Sequence, residues 1–177
     1  MTNLGYLYFK MATQGLFPFT HQVTKQVMDQ DELYFQSATW LRRALFTNEN
    51  NPDALFLMAK LYEEGYSVDV NPELSQKYYE RAGEQGMHKA YTKIAHYQYS
   101  RRNVKKAIEM YTLALDKGED SEAANCLGLI YESQEYKDLD KAKQFYERAI
   151  ALDGNVDAYF NLGILLSENN QNGLPLI

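Results

Sequence analysis

Small and apolar residues recur along this chain at the three-and-four spacing that gathers side chains on one face of a helix. Over residues 123–150, AANCLGLIYESQEYKDLDKAKQFYERAI, Ala123 leads to Leu127, Gly128 and Tyr131; after a polar interval, Ala142 leads to Phe145, Tyr146, Ala149 and Ile150. That pattern predicts two amphipathic helices joined by a turn. Gly128 and Ala142 fall where the helices would cross. A side chain no larger than a methyl there lets the backbones approach while Tyr131 and Tyr146 fill the space beside them.

The same frame fits elsewhere. Ala54, Met58, Ala59 and Tyr62 are followed by Ser75, Tyr78, Tyr79, Ala82 and Gly83, and Ala90, Ile94 and Ala95 by Ala107, Met110, Tyr111 and Ala114. Leu4, Gly5 and Tyr8 pair with Ser37, Trp40, Leu41, Ala44 and Leu45, whereas Ala158, Leu162 and Gly163 are a first half without a second. The anchors Ala54, Ala90, Ala123 and Ala158 lie 36, 33 and 35 residues apart. A period in the mid-thirties predicts stacked helical hairpins. The expected domain is a single one, 1–177, made of units 1–50, 51–87, 88–119, 120–154 and a partial unit 155–177.

Local signals punctuate these units. Asn51-Pro52-Asp53 and Asn71-Pro72-Glu73 each offer an Asn cap, a proline in the first turn and an acid at the positive helix end. Gly86, Gly118 and Gly154 stand where helices should stop. Unit one departs from the pattern with an insert at about 10–30 between its helices, containing Gly15-Leu16-Phe17-Pro18-Phe19-Thr20. Gly and Pro break a helix there and leave Leu16, Phe17 and Phe19 to bury. Either these three side chains seal the open end of the core or the insert is a partner-binding loop. The following helix, 31–47, is expected to start on Asp31 or an earlier acid and to place Trp40 in the core.

With its LG-x-x-Y half at 127–131 and KA-x-x-FY-x-x-A half at 141–149, the chain resembles the Sel-one-like repeat, a relative of the tetratricopeptide repeat. Residues 53–86 match best, including Gly65 and Val68 in the loop between helices and Gly86 at the end. The resemblance covers nearly the whole chain and implies an all-α right-handed superhelix (solenoid). It also implies a scaffold or adaptor role in binding proteins or peptides, with no particular partner. In such arrays the first helices line the concave face. By register that places Tyr6, Phe9, Phe56, Lys60, Glu63, Thr92, His96, Tyr99, Asn125, Leu129, Glu132, Phe160 and Ile164 on the candidate binding row. The Lys and Asn clamp that some tetratricopeptide proteins use for carboxylate tails is missing, because Phe56 and Lys60, Thr92 and His96, and Asn125 and Leu129 occupy its positions.

Charge and candidate chemistry narrow the picture. A formal charge of −6 argues against nucleic acid. The densest basic group, Arg101, Arg102, Lys105 and Lys106, reads as a solvated helix start. No apolar run is long enough to insert in a membrane, and the leading segment lacks the basic start of a signal peptide. Secreted relatives can be stapled by cysteine pairs, whereas this chain has only Cys126, which predicts a cytoplasmic protein with a packed thiol. His21, His88 and His96 show no metal-ligand spacing, and no phosphate loop or nucleophile elbow occurs. Asp138-Leu139-Asp140 reads as a helix cap before Lys141. The expectation is therefore a non-enzyme without cofactor or metal. Ile164, Leu165 and Leu166 lie close together near the C-terminal end, where the last helix is either a partial cap or part of a longer array. Apolar ends of that kind leave room for self-association or for a structural role in a larger complex.

Overall fold

The computed structural model describes residues 1–21 and 27–171. Over these the chain forms nine helices and one short ribbon. They are α1 Thr2–Thr13, β1 Phe19–Thr20, β2 Val27–Met28, α2 Gln30–Thr47, α3 Pro52–Glu64, α4 Pro72–Glu84, α5 Lys89–Ser100, α6 Val104–Gly118, α7 Ser121–Glu132, α8 Leu139–Asp153 and α9 Val156–Gln171. Helices α2, α3, α4, α7 and α8 start where a side chain accepts an otherwise unpaired backbone N–H, whereas α1 and α6 start without such a bond. Asp29, Asn51, Asn71, Asp120 and Asp138 each accept it from the residue three positions on. Gly65 and Gly154 end α3 and α8 in the left-handed region, at φ 75° and 70°. Gly118 does not stop α6 in that way; it closes the helix, and Glu119 supplies the left-handed cap at φ 48°.

The chain parts into two compact units, Met1–Ala90 and Tyr91–Ile177. In the first, α1 pairs with α2 and α3 with α4, while α2 packs on α3 and α1 touches α3. Leu33, Ala38, Leu41, Ala54, Met58 and Leu61 form its fully buried centre, with Phe9 and Tyr34 beside them. The α1–α2 crossing needs Gly5, because an added Cβ would stand 2.7 Å from Leu41 Cγ. Ser37 ties the same crossing by donating to the Gly5 carbonyl at 2.8 Å. Trp40, expected in the core, is only half-buried, with the Arg43 guanidinium 4.9 Å from its ring. Tyr34 takes the core slot instead, edge-on to Phe9 and stacked 4.1 Å from Tyr66.

The insert forms an antiparallel ribbon, Phe19 opposite Met28 and Thr20 opposite Val27, which no periodicity in the chain announced. Phe19 packs on the core and Met28 is buried, but Leu16 and Phe17 stay 55% and 39% exposed. Sealing therefore falls to Phe19 and Met28, across the ribbon, and not to the whole Leu16–Phe19 motif.

In the second unit α7 pairs with α8, α6 packs on α7 and α8 on α9. α5 meets α6 where the His96 ring stands edge-on to Tyr111, centroids 5.5 Å apart. Ala107, Ala114, Ala142 and Ala149 are fully buried. At Gly128 an added Cβ would clash with the edge of the Tyr146 ring, so α7 and α8 cross there in contact. The last helix, α9, continues past the Ile164–Leu166 cluster to Gln171; positions 172–177 lie outside the described residues.

Candidate functional site

Between α1 and α3 the first unit leaves a groove of about 620 Å³. Tyr6 and Phe9 lie one turn apart on α1, and Phe56 and Lys60 one turn apart on α3, so each pair projects from one helix face. The structure brings these four expected residues together around the groove, with Leu57 in its floor. Phe9 is buried, and the Lys60 ammonium lies 5.2 Å from its ring centroid. Tyr79, edge-on at 5.3 Å, holds Phe56 in place. Tyr6, 52% exposed, stands on the rim. Glu63, expected in the same row, instead accepts a 2.7 Å hydrogen bond from the Tyr79 hydroxyl. The groove also takes in Lys10, Asp53, Met87 and Lys89, which repeat register did not point to. Lys10 carried a signal, since it falls one helical turn after Tyr6.

Four of the corresponding positions in the second unit, Thr92, His96, Asn125 and Glu132, are spent on internal hydrogen bonds. Thr92, expected on an open face, is 1% exposed and donates to Asp120 Oδ2 at 2.9 Å, while Asp120 Oδ1 caps α7 through the Ala123 N–H. Asn125, also expected to be open, is buried and its Oδ1 accepts from Asn161 on α9 at 3.0 Å. Glu132 accepts from the Tyr146 hydroxyl. Both nitrogens of His96 are engaged, Nδ1 with the Tyr111 hydroxyl and Nε2 with Glu122, each at 2.9 Å. A carboxylate only accepts, so Nε2–H donates to Glu122 and the phenol donates to Nδ1. Tyr99 and Leu129 remain exposed and, with His96 and Cys126, line a small cavity of about 140 Å³. Phe160 and Ile164 lie on a shallow surface along α9 with Tyr159.

Burial sets the electrostatics. It raises the Tyr79, Tyr111 and Tyr146 hydroxyls well above the ordinary phenol range. The carboxylates of Glu63 and Glu132 add to this at Tyr79 and Tyr146, and Cys126 adds to it at Tyr111. Burial likewise pushes the Cys126 thiol up to about 11, which keeps it protonated and a poor nucleophile at neutral pH. Among the described residues no group of three or more His, Cys, Asp or Glu is placed to hold a metal ion. Asp138 accepts from the Lys141 backbone at 3.0 Å and pairs with its ammonium at 3.0 Å, the geometry of a helix cap. No helix among the described residues is long and apolar enough to cross a membrane.

The family model of the Sel1 repeat matches residues 52–87, 88–119 and 121–154. Among solved structures, a Sel1 repeat protein from Oxalobacter formigenes is 28% identical over 89% of this chain and 73% of its own, with a TM-score of 0.61. The c5321 protein, a protective antigen of uropathogenic Escherichia coli that displays an SLR fold, is 26% identical over 96% of this chain and 37% of its own, with a TM-score of 0.65. MamA, at 20% identity and a TM-score of 0.57 over 84% of this chain and 88% of its own, shares the fold. No curated protein sequence is a significant match.

Proposed function

We propose, for a chain that belongs to the Sel1 repeat family, that it is a non-catalytic scaffold or adaptor that grips a partner protein by a peptide segment seated between α1 and α3. Sel1 repeat proteins mediate protein–protein interaction. The observation that carries the site is the apolar floor of Phe9, Phe56 and Leu57, built into the first unit and reached past a half-exposed Tyr6. A floor already in place spares the receptor much of the ordering cost of binding. Aromatic side chains at the centre of such a contact carry most of its energy. Protein is favoured over nucleic acid as partner by the net charge of −6. A cytoplasmic location belongs to the same reading and is supported by the lone cysteine.

The test is selection of peptides from a random displayed library on the parent chain, followed by titration of the winners against Tyr6→Asp. Tyr6 is on the rim, so the variant should melt like the parent while binding falls by about tenfold or more. Winners that bind the variant as tightly as the parent would move the site elsewhere. A second reading, assembly through α9, is favoured by Tyr159 and Phe160, the latter 69% exposed. Sedimentation that depends on concentration in the parent and not in Phe160→Asp would support it, and a monomer at every concentration would remove it.

A further inference from the structure

We infer that the α1–α3 groove selects acidic peptide segments, a reading that rests on the peptide-binding role proposed for the same groove and adds the chemistry of the partner. The chain as a whole is acidic, with 24 Asp and Glu against 18 Lys and Arg. Around the groove that balance inverts: Lys10, Lys60 and Lys89 face a single carboxylate, Asp53. Asp53 lies in the first turn of α3, where its charge already offsets the positive helix end. Among the described residues the salt bridges are His96–Glu122, Lys106–Glu109 and Lys141–Asp138. None involves a groove lysine. The Lys60 ammonium is held over the Phe9 ring, so a positive charge stands directly above the apolar floor.

An occupant complementary to this surface has one large apolar side chain for the floor and carboxylates on either side of it. Its acids would neutralise three ammonium groups that form no salt bridge among the described residues. A neutral segment would leave them as they are, and a basic one would add repulsion. Complementary charge of this kind raises the association rate and rejects wrong partners more than it deepens affinity.

Three fluorescein-labelled peptides that share a central Leu-Ala-Ala-Phe and differ only in Glu, Gln or Lys flanks would be titrated by fluorescence anisotropy at low and high salt. The Glu-flanked peptide should bind the parent about tenfold tighter than the Gln-flanked one, from a few exposed pairs of modest strength, and the gap should close in high salt. In the double variant Lys10→Glu, Lys89→Glu the order should reverse in favour of the Lys-flanked peptide. Both lysines are exposed, so its melting should match the parent's. Equal binding of the Glu and Gln peptides, competed by Tyr6→Asp-sensitive library winners, would overturn the charge selection and leave the groove standing. Failure of all three peptides, together with winners indifferent to Tyr6→Asp, would remove the groove as well. Displacement of the Glu peptide by single-stranded oligothymidine at matched concentration would overturn the inference in favour of a phosphate ligand.

Discussion

In the first unit four inner side chains of α1 and α3 border an open groove, and in the second several side chains of equivalent register are tied to other residues of their unit. Phe9, Phe56 and Lys60 line a groove, whereas Thr92, Asn125 and His96 are each tied to a residue of another helix in their own unit. The scaffolds beneath are alike. A second-helix tyrosine donates to a first-helix carboxylate in both, Tyr79 to Glu63 and Tyr146 to Glu132, and a stacked pair lies beside each, Tyr62 on Tyr78 and Tyr131 on Phe145. One repeat geometry therefore supports two uses of its inner face. Polar side chains of the right length turn it inward as lock, and aromatic ones with lysines leave it as a receiving surface.

The largest expected effect tests what the units share. Tyr79, Tyr111 and Tyr146 have folded-state values raised by burial, and Tyr34 is pushed up to about 12 by burial and by Tyr66. A raised value means that the folded state holds its proton more tightly than the unfolded chain. The resulting stability is complete below about pH 10 and is lost as pH rises toward and past the folded-state values. Base titration should therefore unfold the protein, with buried tyrosinate absorbance growing as the far-ultraviolet helix signal falls. Full ionisation with the helices intact would show that the hydroxyl contacts do not lock the hairpins.

Next in size is Gly128→Leu. The added side chain must enter the space of the Tyr146 ring, and overpacking of this kind costs about 1–3 kcal/mol or more. Ala82→Leu in the first unit and Ala114→Leu in the second, both at fully buried positions, should cost a similar amount, about 1–3 kcal/mol. Melting of all three at the parent temperature would break the shared packing on which the comparison stands.

The hairpins were legible in the chain because their signal is local. A small residue at each crossing, an Asn or Asp cap and a glycine stop can all be read from neighbours along the sequence, and Gly128 against Tyr146 is the expected contact. The candidate groove was legible only where helix register decides it. Tyr6, Phe9, Phe56 and Lys60 share the inner register and do meet. Lys89 and Met87 reach the same groove from beyond α4, and their place depends on tertiary packing that no period encodes. Thr92 and Asn125 were expected on the open row because repeat register places them there. Their burial rests on Asp120 and Asn161, partners 28 and 36 residues away. Leu16 and Phe17 were expected to share one fate with Phe19, but the ribbon separates them, since only Phe19 lies opposite Met28.

The last pair of effects separates the two inner faces most directly. Thr92→Val keeps the shape of the side chain but removes its hydroxyl, leaving Asp120 Oδ2 without that donor while Oδ1 still caps α7. A lost hydrogen bond to a largely buried carboxylate should cost about 1–3 kcal/mol. Tyr6→Ala in the first unit removes a much larger side chain, yet half of it faces solvent, and the change should stay within about 0.5 kcal/mol. Denaturant melts of the two variants decide between lock and receiving surface. If Tyr6→Ala proved the costlier, Tyr6 would be a structural residue and the open face of the first unit would be part of its core.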